Sequence, residues 1–360
     1  MGAAAELPAA EACLDRLLSQ VIAEGLCVAC GACLGLCPHL IFLDGRVAAP
    51  DACGLSEGRC IDLCPLDPAP EPAARRQRLH QALGSSYLPP IGPVQQAWQG
   101  RAPAADLQGK AQYGGVVSEL LSLALEEGLV GEAVVTVAGQ RGAPQGARAR
   151  NRQEVLAAAG SIYAGGGALG ELNRALAEPT DHPLAVVGLP CQVLAAANMK
   201  AHPRYPAAAQ RLGLVVGLFC TMNLPARALR GLLKEEGVQG PVLKSDFPPP
   251  PAGVFQVWTQ AGLRELPIAK LRDIRFPGCA FCPDLTAELA DLSVGACEGR
   301  PGLNTILVRT PAGAALIERA RERGRLELEP AAAESMAHLK QAAENKRARA
   351  AQARTERQHG

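Results

Sequence analysis

The sequence contains few aromatic residues, and neither sign of charge predominates. Phe, Trp and Tyr make up 3% of the 360 residues, so a hydrophobic core must be built mainly from Ala, Leu and Val. The formal net charge of +1 gives no overall electrostatic basis for binding nucleic acid. None of the six histidines lies in a pair with the spacing of metal ligands. We therefore expect no nucleic-acid partner and no histidine-based metal site.

Long apolar runs are missing as well. No stretch of about 18 apolar residues is free of charged, proline or glycine residues, so the sequence predicts no membrane span. Residues 1–26 lack a basic start followed by an apolar run, and we see no signal peptide. The thirteen cysteines lie in a long chain and at the spacings of cluster ligands, so we interpret them as ligands and not as disulfides. We expect the reducing environment of the cytoplasm.

The most specific pattern is C-x2-C-x2-C-x3-C-P, formed by Cys27, Cys30, Cys33, Cys37 and Pro38. Three thiolates at such short intervals can bind one iron–sulfur cubane, and the cysteine before proline usually binds a second cluster. Gly31 lets the backbone fold tightly over the sulfurs. We predict a 4Fe-4S cluster here; the alternative is a zinc site with the same thiolates.

A related pattern, Cys53-x6-Cys60-x3-Cys64-Pro65, follows. In two-cluster ferredoxins, the cysteine before proline in each repeat binds the cluster of the other repeat. One cluster would then be bound by Cys27, Cys30, Cys33 and Cys64. The second would be bound by only three thiolates, those of Cys37, Cys53 and Cys60. The second cluster would therefore have a non-cysteine ligand, contain three irons or be absent.

Apolar residues at helical spacing predict an amphipathic helix over residues 9–24. Cys13 lies on this helix, where we interpret it as a small buried residue. The segment 1–70 contains nine Asp and Glu against three Lys and Arg, a net charge of −6. An acidic segment of this kind suits docking with a charged redox partner.

Short apolar strands alternate with helices in the second part of the chain and predict an α/β fold. We expect a helix over residues 116–127 and strands over 133–137, 184–188 and 212–219. Cys191 and Cys220 follow two of these strands, at the edge where open α/β sheets bind their ligands. With the C-x2-C pair Cys279 and Cys282 they form a set of four thiols. This set suits a further 4Fe-4S cluster, with structural zinc as the alternative.

The predicted fold class is α+β or α/β, with a two-cluster ferredoxin-like head joined to an α/β body. The ferredoxin-type head covers residues 1–70 and a linker covers 71–110. The α/β body covers 111–330, and a helical or disordered tail covers 331–360.

Six short motifs occur in a fixed order along the body. They are Tyr113-Gly114-Gly115, Gly160-Ser161-Ile162-Tyr163, Gly188-Leu189-Pro190-Cys191-Gln192, Gly217-x2-Cys220, Cys279-x2-Cys282-x-Asp284 and Ala290-Asp291-x-Ser293-x-Gly295. This order resembles that of the beta-subunit family of coenzyme F420 hydrogenases and dehydrogenases. The resemblance covers the ferredoxin-type head and most of residues 110–325.

The resemblance implies an FAD-binding protein whose body cluster lies close to the flavin. It implies positions around the flavin or its pocket for Tyr113, Gly114, Gly115, Ser161, Tyr163, Gly188, Pro190, Asn223, Asp284, Asp291 and Ser293. Ser118 is a further candidate, because it lies on the first turn of a predicted helix whose amides could hold a phosphate. Asp284 and Asp291 could each instead cap a helix or turn. No residue is assigned a catalytic role.

Two positions depart from the family pattern. Ile162 stands where the family often has lysine, and Ala296 stands where it often has aspartate. Both changes remove charge near the expected hydride acceptor. Separately, Gly165-x-Gly167-x2-Gly170 fits a dinucleotide-binding fingerprint, but it follows no predicted strand and has no well-placed acidic partner. We interpret it as a flexible glycine loop.

Clusters transfer single electrons, whereas a flavin can accept two singly and release them as a hydride. We therefore expect an iron–sulfur flavoprotein subunit of an oxidoreductase complex, with FAD and two to three 4Fe-4S clusters. It would exchange electrons between partner subunits, of hydrogenase, formate dehydrogenase or heterodisulfide-reductase type, and a deazaflavin- or nicotinamide-type hydride carrier. The alternatives are an electron-relay or docking subunit without its own hydride acceptor, and a zinc-stabilised binding module.

Overall fold

A computed structural model describes residues 13–43, 45–55, 57–69, 71–139, 143–248 and 252–359. Its centre is an eight-stranded mixed sheet, accompanied by one sheet of two strands and one of three. The fold is mixed α/β, as the alternation of apolar strands and helices predicts. Residues 9–12 of the predicted first helix lie outside the described residues.

The helices and strands are numbered in chain order. The helices are α1 (Cys13–Leu17), α2 (Arg59–Asp62), α3 (Pro72–Ala82), α4 (Val116–Glu126), α5 (Arg152–Ala157), α6 (Leu169–Ala177), α7 (Pro190–Ala201), α8 (Pro206–Arg211), α9 (Ala226–Glu235), α10 (Ile268–Ile274), α11 (Pro311–Glu322) and α12 (Ala333–His359). The strands are β1 (Ile41–Leu43), β2 (Arg46–Ala48), β3 (Gln96–Arg101), β4 (Glu132–Ala138), β5 (Pro144–Ala149), β6 (Leu184–Gly188), β7 (Leu212–Leu218), β8 (Lys244–Asp246), β9 (Val254–Thr259), β10 (Gly262–Pro267), β11 (Leu292–Ala296), β12 (Asn304–Val308) and β13 (Glu327–Pro330).

The large sheet has the strand order β13-β3-β12-β11-β7-β6-β4-β5. Strands β11, β7, β6 and β4 are parallel neighbours, and β12 and β5 flank them in antiparallel orientation. The three apolar runs predicted as strands are β4, β6 and β7, which confirms that prediction. Because these strands are parallel, their carboxyl ends meet at one edge of the sheet.

Helices cover both faces of the large sheet. On one face, α6, α7 and α8 contribute buried residues such as Leu172, Val193 and Ala208. On the other face, α4 and α11 contribute Leu120 and Leu316. Both cores are mainly aliphatic, in keeping with the shortage of aromatic residues.

The head has its own small apolar core. Helix α1 continues into a π-helical turn over Leu18–Ile22, and Leu14, Leu17 and Val21 face inward from this segment. They pack against Ile61 of α2 and against several cysteines. The predicted amphipathic helix is therefore confirmed for residues 13–22.

The head is fixed to the body through the glycine loop. The amide of Gly167 donates to the carbonyl oxygen of Ala29 at 3.0 Å, and the amide of Leu169 donates to that of Cys30 at 3.1 Å. The side-chain amide of Asn173 donates to the carbonyl oxygens of Ala32 and Leu34. The loop is thus a docking segment for the first cysteine motif, which corrects our interpretation of it as flexible.

Residues 71–110, predicted as a linker, contribute structure to the body. Helix α3 is capped by the side chain of Glu71, which accepts from the amide of Ala73 at 2.8 Å. Strand β3 pairs with β12 on one side and β13 on the other, inside the large sheet. Hydrophobic periodicity does not predict this strand, because polar residues such as Gln99 are buried within it.

Residues 333–359 of the predicted tail form one helix, α12. Ala343, Lys346 and Ala350 are buried on the side of α12 that faces the body. Among the described residues, no helix combines the length and the apolar composition needed to cross a membrane.

Candidate functional site

A cavity of about 620 Å³ opens at the carboxyl edge of the parallel strands. Its wall includes Gly188 at the end of β6, Cys220 after β7 and Gly295 in β11. The first turn of α4 contributes a further wall through Ser118. The site therefore lies where open α/β sheets bind ligands, and its volume is that of a site for a cofactor or a drug-sized molecule.

Two tyrosines converge on one carboxylate at the cavity. The hydroxyl of Tyr113 donates to Asp246 Oδ1 at 2.7 Å, and the hydroxyl of Tyr163 donates to the same oxygen at 3.1 Å. The Tyr163 ring stacks edge-on against Phe247 and Phe255. Burial and the neighbouring Asp246 raise the pKa of Tyr113, and the same two causes raise the pKa of Tyr163. Both phenols therefore stay protonated, as a fixed polar end of the cavity.

Seven of the twelve residues predicted to bind the cofactor line this cavity: Tyr113, Gly115, Ser118, Ser161, Tyr163, Gly188 and Asn223. Ile162 and Ala296, the two departures from the family pattern, also line it. Five predicted residues do not line the cavity: Gly114, Pro190, Asp284, Asp291 and Ser293. The sequence motifs also miss Asp246, which does not itself line the cavity but accepts from Tyr113 and Tyr163, which do. Its only signal in the sequence is a lone carboxylate ahead of a proline run.

The two predicted aspartates bind groups within the protein. Asp291 accepts from the amide of Val215 and from the hydroxyl of Thr310, both at 2.7 Å. Asp284 accepts from the amides of Thr286 and Glu288, and it pairs with Arg76 at 3.2 Å. The contacts of Asp284 support the alternative interpretation, that it caps a turn, whereas Asp291 links β7 to the start of α11.

Ser293 and Pro190 are also engaged away from the cavity. The Ser293 hydroxyl donates to the carbonyl oxygen of Ala287 and accepts from Arg309 Nε at 2.9 Å. Pro190 is the first residue of α7, where its fixed φ and missing amide hydrogen suit a helix start. Gly114 lies under β3, and a Cβ there would lie 2.7 Å from the carbonyl oxygen of Gly100.

The first head group consists of Cys27, Cys30, Cys33 and Cys64. All four line one small apolar cavity. Burial raises the pKa of Cys30 to about 12, and the thiols of Cys33 and Cys64 have raised pKa values, first from burial and then from the charges of neighbouring thiols. Because thiolates are disfavoured here without a compensating cation, the donor set fits a metal cluster that would deprotonate them on binding. The structure thus brings the predicted cross-motif ligand set together.

The second head group consists of Cys37, Cys53 and Cys60, and the structure adds a fourth member. The Sγ atom of Cys13 lies 3.4 Å from the Sγ atom of Cys60. Cys13 is buried, as predicted, but it packs among cysteines and not as an isolated small residue.

The body group consists of Cys191, Cys220, Cys279 and Cys282. Burial raises the pKa of Cys191 well above its usual value, and the thiol that adds most to this effect is Cys30 of the first head group, followed by its three partners in the body group. Burial also raises the pKa of Cys220 to about 12 and that of Cys279 to about 11. The four thiols and the first head group are therefore close neighbours.

Helix α12 places a cation beside the body group. Lys346 Nζ donates to the carbonyl oxygen of Cys220 at 2.6 Å. Burial lowers the pKa of Lys346, but the Cys282 and Cys220 thiols and the Asp284 carboxylate outweigh burial, and the pKa lies above its usual value. Lys346 thus carries a positive charge where the thiolates of a cluster would gather negative charge.

The chain matches two family models of the coenzyme F420 hydrogenase/dehydrogenase beta subunit. The model of the N-terminal part of that subunit matches residues 97–170, and the model of its C terminus matches residues 181–334. The chain is 30% identical, over 246 residues, to a coenzyme F420 hydrogenase subunit beta of Methanothermobacter thermautotrophicus, and the match covers 67% of this chain and 86% of that protein. It is 28% identical to a coenzyme F420-dependent sulfite reductase of Methanocaldococcus jannaschii, over 82% of this chain and 46% of that protein.

A solved structure has a similar fold. One chain of the F420-reducing NiFe hydrogenase complex from Methanosarcina barkeri superposes with a TM-score of 0.69 and 26% identity. The match covers 75% of this chain and 94% of that one.

Proposed function

Because this chain belongs to the coenzyme F420 hydrogenase/dehydrogenase beta-subunit family, we propose that it is an iron–sulfur flavoprotein that passes electrons between redox partner subunits and a hydride carrier. It is an oxidoreductase subunit by family. In this proposal FAD binds in the large cavity, and 4Fe-4S clusters bind at the cysteine groups.

The proposal rests on the spatial order of the three cysteine groups. Cys60 of the second head group neighbours Cys33 of the first. Cys30 of the first head group neighbours Cys191 of the body group. Cys220 of the body group then lines the large cavity. The cysteine groups thus form a continuous series that ends at the cavity, which is the arrangement a relay of single electrons requires.

Metal analysis separates this proposal from a zinc-stabilised binding module. The module would contain zinc and no acid-labile sulfide.

The cavity offers separate features for the parts of a flavin nucleotide. The first turn of α4, with Ser118, presents a helix N-terminus, which suits a phosphate. The Tyr113–Asp246–Tyr163 contact gives fixed hydrogen-bonding groups at another part of the wall. A bound flavin supplies the exchange between single electrons and a hydride. The contribution of this chain is to hold the flavin beside Cys220 and to limit the access of water.

The hydride carrier would be anionic. Arg272 and Arg349 both line the cavity, together with one acidic residue, Glu298. Burial lowers the pKa of Arg349, and the charges of Arg272 and Arg275 lower it further, so these guanidinium groups lie close together. Deazaflavin- and nicotinamide-type carriers both bear phosphate groups, which arginine binds well.

The proposal is tested first by composition. Protein purified without oxygen should contain about one FAD and about eight to twelve irons per chain, with matching acid-labile sulfide. The chemically reduced protein should then transfer hydride to a deazaflavin or to a nicotinamide nucleotide. A colourless preparation with neither flavin nor iron would contradict the proposal.

A second candidate is a relay or docking subunit that binds FAD without a hydride acceptor of its own. The observation that favours it is the apolar character of Ile162 and Ala296, both in the cavity wall. Stopped-flow measurement of flavin reduction and oxidation with each carrier separates the two candidates. A flavin that exchanges electrons with a ferredoxin but with no carrier would support the second.

The partners in this proposal are redox subunits of hydrogenase, formate dehydrogenase or heterodisulfide-reductase type. Two of the similar proteins are a hydrogenase beta subunit and a chain of a hydrogenase complex. The head, which holds the outer end of the cysteine series, carries the net negative charge of residues 1–70 and exposes Leu55 next to the second head group. Electron delivery through this surface should therefore weaken as ionic strength rises.

A further inference from the structure

We propose that Cys13 is the fourth cysteine ligand of the second head cluster, so that the head holds two complete 4Fe-4S sites. This rests on the proposed function, since it presumes a cluster at the second head group. The cysteine motifs alone leave that group with Cys37, Cys53 and Cys60. Cys13 lies outside both motifs and precedes the first of them in the chain.

The position of Cys13 is set by contacts on both sides. Its Sγ atom lies 3.4 Å from that of Cys60, although the two residues are 47 positions apart. Its backbone amide donates to the carbonyl oxygen of Leu55 at 3.0 Å, which ties it to the loop between Cys53 and Cys60. The side chain is 5% exposed. Helix α1 therefore presents this thiol to the second motif in a defined place.

Gly58 keeps open the space that the two sulfurs share. A Cβ at residue 58 would lie 2.1 Å from Cys13 Sγ and 4.0 Å from Cys60 Sγ. The φ of Gly58 is −152°, which any residue can adopt, so backbone conformation does not require glycine here. The requirement is steric: any side chain at residue 58 would displace the Cys13 thiol.

The remaining two thiols of the group lie in the same packed cluster as Cys13. Cys53 and Cys37 both interact electrostatically with Cys13, as does Asp62 on α2. Cys60 likewise has Cys13 and Cys37 as its neighbours. Cys13 therefore packs in the same cluster of side chains as Cys37, Cys53 and Cys60. That donor set is complete for a 4Fe-4S cluster without a water or carboxylate ligand.

The experiment compares the iron content and the electron paramagnetic resonance spectra of full-length variants purified without oxygen. In the variant Cys13→Ala, iron should fall from about twelve to about eight per chain, or the signal of an oxidised three-iron cluster should appear in place of one 4Fe-4S signal. Cys13→Ser should retain more iron with an altered reduction potential, because a serine oxygen can replace the thiolate. Cys297→Ser is the matched control, since Cys297 is also buried but has no cysteine neighbour among its interacting groups.

A second variant keeps the test decisive if loss of the Cys13 side chain destabilises α1. Gly58→Ala retains all thiols but displaces Cys13, and it should cause the same loss of iron. Far-UV circular dichroism and flavin content report whether each variant is folded. Iron content and spectra of Cys13→Ala and Gly58→Ala that equal those of the unmodified protein would overturn the inference. An unmodified protein without iron would overturn the proposed function itself.

Discussion

Gly31 of the head and Gly167 of the body meet backbone to backbone. A Cβ at Gly31 would lie 2.2 Å from the carbonyl oxygen of Gly167, closer than any real Cβ contact. The contact lies between the first cysteine motif and the glycine loop, next to the pair of hydrogen bonds that join Ala29 and Cys30 to that loop. The position of the first head group relative to the body group therefore depends on the absence of a side chain at residue 31.

The variant Gly31→Ala should weaken head–body packing. The φ of Gly31 is +86°, so alanine adds about 1–2 kcal/mol of backbone strain, and the steric conflict adds more, for a total loss of about 3 kcal/mol in free energy of unfolding. Gly45→Ala is a matched control, because Gly45 has a similar φ of +81° and nothing within 4 Å of a new Cβ. Chemical denaturation measures both, and equal losses would contradict the packing explanation.

Glu288 should make stability depend on pH below neutrality. This buried carboxylate accepts from Arg347 Nη1 at 3.0 Å and faces Arg76 at 3.7 Å. Burial raises the pKa of Glu288, but Arg76, His80 and Arg347 outweigh burial and hold it below the usual value. A lowered folded-state pKa stabilises the protein above the unfolded-state pKa of about 4.3, and this contribution is lost as pH falls through the folded value.

Glu288→Gln should therefore lower the free energy of unfolding by about 3 kcal/mol at pH 7, because it removes one partner of a buried ion pair. The difference between the two proteins should shrink as pH falls below about 4. Glu318→Gln, which breaks the exposed pair with Arg321, should change stability by less than about 0.5 kcal/mol. A Glu288→Gln effect that is independent of pH would show that the ionised carboxylate is not responsible.

Removing the hydroxyl group of Tyr113 or of Tyr163, each of which donates to Asp246, should weaken flavin binding. Tyr113→Phe or Tyr163→Phe leaves Asp246 with one fewer donor, and we expect the dissociation constant of FAD to rise about tenfold. Because burial and Asp246 raise both phenol pKa values, neither group should add pH dependence to FAD binding between about pH 7 and 9. Tyr205→Phe is the control: its hydroxyl donates to Asn173 Oδ1, and Tyr205 does not line the cavity. Unchanged FAD affinity in both cavity variants would place the flavin elsewhere.

Neutralising the arginines of the cavity should raise the KM for the carrier. In the variant Arg272→Gln with Arg349→Gln, we expect KM to rise about tenfold with a much smaller change in kcat, since the two charges would bind the carrier in both its ground state and transition state. Arg264→Gln on β10 removes an exposed charge away from the cavity and should leave KM unchanged. A loss confined to kcat would argue against carrier binding at this wall.

The sequence predicts those parts of the fold that repeat a simple pattern. The apolar runs of β4, β6 and β7 identify the centre of the sheet, and the two cysteine motifs identify the first head group. Strand β3 escapes prediction because Gln96 and Gln99 interrupt its apolar character, and its partners lie about 200 residues later in β12. Burial of a polar strand between two neighbours is a tertiary effect, which no local pattern records.

The site was predictable where the residues were near in sequence or part of a recurring motif. Tyr113, Ser161 and Gly188 belong to such motifs, and they line one cavity. Asp246 and Cys13 belong to no motif, and each meets its neighbours only when distant segments pack together. Cys13 meets Cys60 because α1 packs on α2. Asp246 meets Tyr113 because β8 lies beside the glycine-rich segment that leads into α4. Asp291 shows the converse: it belongs to a motif, but its carboxylate bonds to the amide of Val215 in β7 and does not line the cavity.

Helix α12 covers the body group from outside the sheet. Lys346 reaches the carbonyl oxygen of Cys220, and Arg354 reaches that of Phe281, within the turn that carries Cys279. A reduced cluster in this position would be shielded from dioxygen by one helix, which is held by long basic side chains and by the apolar contacts of Met336, Leu339 and Ala343. The lifetime of the reduced protein in air should therefore depend on how firmly these final turns stay in place.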